Sequence, residues 1–547
     1  MRSYPLLGFY VVILKPLCAS LEEQRALKIL TSPASVILLV PANLKIMRNS
    51  LVCRKSCHLI ATTIIVLITG CSERETLTTR FEPNLVHSTK YQIQNDLPMQ
   101  QASQDAFWVI DQMFGSPDEP NLPQVILDDE DLAAVVSLDN LHRASGSESE
   151  EGRGLYRLLC ASCHGISGDG RGPLGAAQVP YPRDYRMGVF KFKSTERGSK
   201  PTKDDLRQLI TYGIPGSNMN SVEQLLELEK LKRGEEAQSW LPEEITKEDI
   251  DALVDYVIYL SMRGEHERTQ IDIGILEGIL DGGDRLINSD LGQEIKWNAR
   301  EDRVSLEQEI EILSEKDELS EAEKTKLEEL ERFEEEWEYA EDYAIDIADA
   351  WLAAEEEVVD VPSPPDSIPV PNSFAEMEQL LENDAAKAEA LHLSVKRGRE
   401  IFTGKFALCS KCHGDKGLGN GQTTDFDDWT KDWTSRIGLQ PNNLEALIPL
   451  LARGALKPQN AKPRNFTEGI FRGGESAAQL YRRITQGIEG SPMPAATFVE
   501  GQFEEEDVWH LINFVRSLQK GSTEAEKNEM GTESTAEIEA NSPHRHT

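Results

Sequence analysis

The sequence predicts an all-α protein in which two similar compact units are joined by an acidic helical hairpin. Each unit ends in an amphipathic stretch, over 250–257 and 507–514, whose apolar side chains fall on one face of a helix. Between the units, residues 301–360 place apolar side chains close to every 3.5 residues, which is typical of paired helices. No strand–helix–strand pattern surrounds the cysteine motifs of either unit. We therefore expect helices, flanked by a disordered N-terminal tether and a disordered C-terminal tail.

Length and charge limit what the chain can be. Its 547 residues suggest about three or four domains at roughly 150 residues each. Hydrophobic residues make up 39% of the chain and charged residues 28%, so we expect part of it to stay solvated. The formal net charge of −37 argues against nucleic-acid binding, because phosphates would be repelled, and against a polybasic contact with anionic lipid.

The amino-terminal part of the chain is predicted to contain an export signal. From Met47 a basic flank leads into a short apolar run over 59–69 and then to Gly70 and Cys71. The run is too short to cross a bilayer of about 30 Å comfortably. Residues 68–71 resemble a bacterial lipobox, in which the cysteine becomes the lipidated first residue, so Cys71 is the expected lipid anchor. The competing interpretations are a buried helix with an incidental cysteine and one uncleaved membrane anchor.

Residues 1–46 fit no part of this signal, so we expect Met47 to be the true start and the upstream stretch to be a mis-called extension. Changes in composition divide the rest of the chain. The expected ranges are extension 1–46, lipoprotein signal peptide 47–70, flexible tether 71–146, first compact unit 147–264, acidic helical segment 265–360, proline-rich linker 361–373, second compact unit 374–520 and disordered tail 521–547.

The acidic segment is expected to fold as a helical hairpin. Residues 301–360 hold 25 acidic and 5 basic side chains, and Ser320 with Glu323 forms a capping box before a long helix. An upstream run over 306–313 is its expected antiparallel partner. Two interpretations of this negative charge remain. The hairpin is a docking surface for a basic partner, or its charged side chains form a solvated helical face.

The two compact units repeat one order of motifs. Each has an aromatic residue, a Cys-x-x-Cys-His-Gly motif, a Pro-Arg-x-aromatic segment, a Gly-x-x-Gly-Ser-x-Met loop and a closing amphipathic stretch. In the first unit these lie at Tyr156, 160–165, 182–185, 213–219 and 250–260, and in the second at Phe402, 409–414, 463–466, 487–493 and 507–514. The repeated order indicates one fold and one chemistry used twice.

Cys-x-x-Cys-His is the motif of covalent haem attachment. Two thiols three residues apart on one helical turn can reach the two vinyl groups of a porphyrin, and the adjacent histidine then lies under the iron. A methionine thioether on the opposite side stabilises ferrous iron. The expected attachment residues are Cys160, Cys163, Cys409 and Cys412, the proximal ligands His164 and His413, and the distal ligands Met219 and Met493.

Three other chemistries use cysteine pairs. A structural zinc needs four ligands, and neither unit has a second Cys/His pair nearby. A redox dithiol would follow a strand at the start of a helix, and a structural disulfide does not require a histidine beside it in both units. For the methionines the alternative is an ordinary core residue, and Met187, 23 residues after His164, is the rival ligand in the first unit.

Both units resemble class I cytochrome c domains, of the kind found in cbb3-oxidase diheme subunits and other bacterial diheme cytochromes. The resemblance implies two covalently bound c-type haems, each in a small all-helical bundle whose first and last helices cross. It also implies a haem-side proline at Pro182 and Pro463, or at Pro173. The chain departs from the pattern at Asn220, which replaces the proline after the ligand methionine and is expected to loosen that loop, and in an insertion over 422–460.

With both axial positions filled, the expected activity is one-electron transfer in a bacterial respiratory chain. The expected location is the periplasm or the outer face of the cytoplasmic membrane, with a lipid anchor. The expected partners are redox proteins, such as a basic cytochrome or an oxidase complex. The alternatives are a diheme enzyme of the peroxidase or thiosulfate-oxidising type, with an open axial position at the first haem, and a docking subunit of an oxidase complex.

Overall fold

The protein is mostly helical, with 54% of the residues that the structure describes in helices and 2% in strands, which confirms the all-α prediction. The computed structural model describes residues 79–147, 152–234, 241–280, 284–297 and 303–519. The predicted extension, the signal peptide, Cys71 and the tail over 521–547 lie outside these residues. Among the helices of the described part, none combines the length and the apolar character needed to span a bilayer.

The segment expected to be a flexible tether is helical instead. Its helices are α1 (Leu85–Asn95), α2 (Gln100–Phe114), α3 (Gln124–Leu127), α4 (Glu130–Ala133) and α5 (Leu138–Ala144). Ala106, Val109 and Ile110 of α2 are at most 1% exposed, because their spacing forms an apolar face that packs inward. The tether prediction is therefore wrong over 79–146, where the chain contributes to the core of the first unit.

The first compact unit is built around one long helix. Its elements are α6 (Leu155–Leu159), α7 (Ala161–His164), α8 (Lys203–Tyr212), α9 (Val222–Arg233) and α10 (Lys247–Leu276), with 3-10 turns at Gly175–Ala177 and Tyr185–Met187. α10 begins at a capping box of Thr246 and Asp249 and runs beyond the expected boundary at 264. Its middle is buried on all sides because α2, α5, α8 and the hairpin described next pack around it.

The predicted acidic helical hairpin is present. After α11 (Ser289–Glu294), it consists of α12 (Arg303–Ser314) and α13 (Glu321–Leu352), and a 3-10 turn at Ala353–Glu355 follows. The Ser320–Glu323 capping box forms as expected. Phe333 and Trp337 of α13 are almost fully buried, and both rings contact Trp108 of α2. The apolar stripe of the hairpin is therefore part of the core of the first unit.

The second unit follows the proline-rich segment. Its elements are α14 (Phe374–Asn383), α15 (Ala385–Thr403), α16 (Cys409–His413), β1 (Asp425–Phe426), α17 (Asp428–Asp432), α18 (Ile448–Leu451), β2 (Asn460–Ala461), α19 (Ala477–Thr485) and α20 (Asp507–Ser517), with 3-10 turns at Ser435–Ile437 and Phe466–Glu468. α15 and α20 cross so closely that a Cβ at Gly398 would overlap the His510 carbonyl oxygen. This is the crossing of first and last helices that the resemblance implies.

The proline-rich linker contacts the second unit, and the residues just before it contact the first unit. Just before it, the Val359 N–H donates to the Ser194 carbonyl oxygen of the first unit at 3.0 Å. Within it, Ile368 is buried, and the Pro369 carbonyl oxygen accepts from Asn513 Nδ2 of the second unit at 2.9 Å. The linker is therefore held at Ile368 and Pro369, beyond the stiffness that its prolines provide.

The insertion over 422–460 packs on the first unit. The antiparallel pair β1–β2 closes its base, with Asp425 opposite Ala461. Trp433, Leu447 and Leu450 are buried and form a small core with Val86 of α1. The insertion belongs to the second unit in sequence but bridges it to the N-terminal helices of the first.

Candidate functional site

Each cysteine motif forms one short helical turn. The four described thiols are free, so neither pair forms a disulfide. Burial raises the pKa of Cys160 to about 12 and that of Cys409 to about 11. A redox dithiol needs a lowered thiol pKa, so this environment disfavours that alternative. Nor do three His, Cys, Asp or Glu side chains of the described residues converge to hold a metal ion, as a structural zinc would require.

The two motif histidines are held in the same way. His164 Nδ1 lies 3.1 Å from the Arg183 carbonyl oxygen, and His413 Nδ1 lies 3.2 Å from that of Arg464. A carbonyl oxygen only accepts, so Nδ1 carries the hydrogen and Nε2 keeps its lone pair. Burial lowers the pKa of His164 to about 4 and also lowers that of His413, which keeps both rings neutral at pH 7. This is the form in which histidine binds a metal ion.

An aromatic ring lies nearly flat against each histidine. The Tyr185 ring centroid is 4.9 Å from that of His164, with 12° between the planes. The Phe466 ring is 4.5 Å from that of His413, with 18° between the planes. Because the Pro-Arg-x-aromatic segment supplies both the carbonyl oxygen and the ring, it fixes the orientation of the histidine in each unit.

The chain after each motif passes so close to it that only glycine fits. A Cβ at Gly172 would overlap the Ala161 carbonyl oxygen, and a Cβ at Gly421 would overlap that of Lys411. The sequence analysis missed these two glycines as site residues. A signal was available, because each stands eight residues after its motif histidine.

The two methionine loops have the same hydrogen bonds. The Ile214 N–H donates to the Met219 carbonyl oxygen at 2.8 Å, Ser217 Oγ donates to the Ile214 carbonyl oxygen at 2.7 Å, and the Met219 N–H donates to Ser217 Oγ at 3.2 Å. The matching bonds of the Met493 loop measure 3.0, 2.7 and 3.3 Å. The two loops are therefore closed by the same bonds, all of which precede Asn220, and the expectation that Asn220 loosens its loop stays a prediction.

One cavity of about 1330 Å³ contains both motifs. Its wall includes every predicted site residue of the described chain, namely Cys160, Cys163, His164, Met219, Cys409, Cys412, His413 and Met493. Met187, the rival ligand, also lines the cavity. The second unit has Glu468 at the matching position, so it offers no counterpart to this methionine. The volume exceeds the roughly 300–1,000 Å³ of pockets for one small ligand, as two large groups would require.

Comparison with known proteins identifies the repeated units. Residues 149–261 and 395–519 each match the model of the cytochrome c family. The chain contains two cytochrome c domains. No curated protein matches the chain. A solved chain of the Kuenenia stuttgartiensis reducing HAO-like protein complex is similar to it with a TM-score of 0.32 and 19% identity, over 67% of this chain and 94% of that chain.

Cytochrome c domains bind c-type haem, and the residues present fit that group in both domains. Domain 1 (149–261) and domain 2 (395–519) each offer two free thiols, a neutral histidine with an available Nε2 and a methionine on the wall of the shared cavity. Haem bound to such domains transfers electrons.

Cationic side chains on the cavity wall suit the two carboxylates of a haem. Arg183 and Lys191 come from domain 1, and Arg464 and Arg472 come from domain 2. Burial lowers the pKa of Lys191 to about 7, and Nε of both Arg464 and Arg472 is buried without a hydrogen-bond partner. Buried cations favour an anionic ligand beside them. The sequence analysis missed Lys191 and Arg472, although each follows the aromatic residue of its Pro-Arg-x-aromatic segment by six positions.

Proposed function

We propose that this protein is a diheme cytochrome c that carries single electrons between redox proteins, with a histidine and a methionine on each iron. Haem so ligated cycles between ferric and ferrous iron. The proposal rests on the agreement between the domains, where the histidine–carbonyl bond and the three bonds of the methionine loop recur with nearly equal lengths. The axial ligands would be His164 with Met219 and His413 with Met493.

Carbon monoxide binding to the reduced holoprotein tests the ligands. In the wild-type protein carbon monoxide must displace a methionine, so we expect slow binding at both haems. Met219→Ala should open the first haem and Met493→Ala the second, each giving one rapidly bound carbon monoxide per chain. Met187→Ala, the control for the rival ligand, should behave like the wild-type protein. Rapid binding by the wild-type protein would contradict the proposal and favour the enzyme alternative.

We further propose that the protein is exported and anchored by a lipid on Cys71, on the outer face of the cytoplasmic membrane or elsewhere facing the periplasm. The lipobox-like segment over 68–71, which follows a basic flank and a short apolar run, supports this. Mass spectrometry of the membrane fraction should find Cys71 acylated at the amino terminus of the mature chain. Cys71→Ser should release the protein from membranes, and membrane retention of that variant would contradict the anchor.

The acidic hairpin is a candidate docking face for a basic redox partner such as a cationic cytochrome. Glu328, Glu329 and Glu331 of α13 are exposed, while Phe333 and Trp337 are buried in the core. Removing the hairpin would therefore disrupt domain 1, and a charge substitution is the better test. Opposite charges accelerate association, and salt screens the effect.

The triple variant Glu328→Gln, Glu329→Gln and Glu331→Gln should slow association with a basic class I cytochrome c at low salt. Its matched control removes three exposed acidic groups beside domain 2, Glu378→Gln, Glu382→Gln and Glu389→Gln. Stopped-flow electron transfer at several ionic strengths measures the difference. Equal rates for the two triple variants would remove the hairpin as the docking face.

A further inference from the structure

The methionine loop of each domain packs against the other domain at its Pro-Arg-x-aromatic segment, which orients the histidine, or at the residues that follow this segment. Gly216, in the loop of Met219, accepts a hydrogen bond from Arg472 Nη2 on its carbonyl oxygen at 2.6 Å. A Cβ at Gly216 would lie 2.8 Å from Ile470 Cγ2, so this contact leaves no room for a side chain. Gly490, in the loop of Met493, faces domain 1 in the corresponding way. The two contacts cross, and each joins the distal side of one site to the proximal side of the other.

The crossed contact at Gly490 involves Trp429 together with Val189 of domain 1, whose Cγ1 would lie 3.2 Å from a Cβ at Gly490. A Cβ at Gly490 would overlap the Trp429 ring, and its carbonyl oxygen accepts from the Asp428 N–H at 3.3 Å. On its other side, Trp429 Nε1 donates to the Asp184 carbonyl oxygen at 3.2 Å. The Arg183 guanidinium lies 3.5 Å from the centroid of the Trp429 ring, a cation–π contact. The carbonyl oxygen of Arg183 is the acceptor for His164 Nδ1, so Trp429 connects the His164 side of the first site to the Met493 loop of the second.

Helix α17 holds Trp429 on domain 1 and the N-terminal helices. Asp432, at the end of α17, pairs with Lys90 at 3.0 Å and with Arg268 at 3.3 Å. Asp427, which caps the start of α17, lies 3.8 Å from Lys191. All of these partners lie in the first 280 residues. Helix α17 is therefore fixed to the first unit, although it belongs to the second unit in sequence.

We propose that Trp429 is a positioning residue that holds the Met493 loop against the Arg183 segment, so that the hold of methionine on the second iron depends on domain 1. The inference rests on the proposed function, since it requires Met493 to be an axial ligand. Val189 and Ile470 occupy matching places against Gly490 and Gly216, but an aromatic ring of the insertion lies only against Gly490, since the atoms nearest to Gly216 belong to Ile470 and Arg464. The coupling is therefore asymmetric, and loss of Trp429 weakens methionine ligation at the second haem alone.

The rate of carbon monoxide binding to the reduced holoprotein measures the hold of each methionine, because the methionine must first leave the iron. In Trp429→Ala one of the two slow phases should accelerate, by roughly tenfold for the loss of one hydrogen bond and its packing. The reduction potential of that haem should fall, because methionine ligation raises it. In the double variant Trp429→Ala with Met493→Ala, the single remaining slow phase should keep the wild-type rate, which assigns the effect to the second haem.

Two further variants control the experiment. Leu444→Ala changes a half-exposed side chain of the same insertion, outside the shared cavity, and should leave both rates unchanged. Trp429→Phe keeps a ring against Gly490 and loses the indole N–H, so carbon monoxide binding should accelerate less than in Trp429→Ala. If Trp429→Ala fails to take up two haems, the rate in Trp429→Phe tests the inference instead. Unchanged rates in both Trp429 variants, or acceleration at the first haem, would overturn the inference. Rapid binding by the wild-type protein would instead overturn the ligand assignment on which it rests.

Discussion

Ser217 Oγ accepts a hydrogen bond from the Met219 N–H at 3.2 Å and donates one to the carbonyl oxygen of Ile214 at 2.7 Å. The hydroxyl thus closes the loop that presents the methionine. The serine of the Gly-x-x-Gly-Ser-x-Met segment therefore has a structural role, and the glycines before it adopt positive φ values, 70° at Gly213 and 67° at Gly216. Ser491 and Met493 repeat the arrangement in domain 2.

Removing either hydroxyl should loosen its own methionine loop. Ser217→Ala and Ser491→Ala each delete two hydrogen bonds, so carbon monoxide binding to the reduced haem of that domain should accelerate roughly tenfold. Because the bond lengths match, the two variants should give similar factors. Ser217→Thr, which keeps a hydroxyl, is the control. An unchanged rate in both alanine variants would show that the serines do not hold the methionines.

A side chain at Gly172 or Gly421 should prevent haem attachment in one domain only. The added Cβ of Gly172→Ala would overlap the Ala161 carbonyl oxygen and push the chain away from the cysteine motif. In Gly172→Ala the haem of domain 1 should be lost and that of domain 2 kept, and in Gly421→Ala the reverse should hold. Intact-mass measurement should therefore find one covalent haem in each variant. Each variant serves as the control for the other, and two haems in both would contradict the steric argument.

His266 should make the stability of the first unit depend on pH. Its Nε2 donates to the Ala340 carbonyl oxygen at 2.6 Å, and burial lowers its pKa to about 4. Between pH 6.5 and 4 the unfolded chain binds a proton that the native protein does not. This contribution is therefore complete above pH 6.5 and is lost as the pH falls toward 4, by about 3 kcal/mol.

Chemical denaturation across this pH range checks the dependence on His266. The fall in unfolding free energy between pH 7 and pH 4 should be smaller in His266→Gln than in the wild-type protein. His392→Gln, which changes an exposed histidine of α15, should follow the wild-type curve. Identical pH curves for all three proteins would show that His266 titrates in the native state as it does in the unfolded chain.

The acidic hairpin should stabilise the core that it shares with domain 1 and leave domain 2 unaffected. The fully buried Phe333 ring contacts the rings of Trp108 and Trp297, so Phe333→Ala should cost about 3–5 kcal/mol. Thermal unfolding followed by circular dichroism and by haem absorbance should show early loss of one haem environment. Tyr339→Ala, which changes a half-exposed ring on the same helix, should have little effect. A loss of stability shared equally by both haems would contradict this division.

The site was largely predictable because its chemistry repeats at fixed spacing. The cysteine motifs, His164, His413 and both methionine loops were each found from local patterns, and the structure places all of them on one cavity. Ser320 and the apolar stripe of α13 were predictable for the same reason, since a capping box and a helical period are local signals.

The contacts between distant segments were not predictable. Residues 79–146 are polar enough to suggest a tether, and only packing against Phe333 and Trp337 shows that Trp108 and its neighbours form a helix face. Similarly, nothing in the insertion indicates that Trp429 lies between Arg183 and Gly490, because these residues are far apart in sequence. Tertiary packing decides both cases.

Intact-mass spectrometry of the purified, denatured protein tests the central claim most directly. Two covalent haems should be present in the wild-type chain. One should remain in the double variant Cys160→Ala with Cys163→Ala, one in Cys409→Ala with Cys412→Ala, and none when all four cysteines are changed. A wild-type chain whose mass shows no covalent haem, or the same mass in all four proteins after correction for the substitutions, would contradict the account.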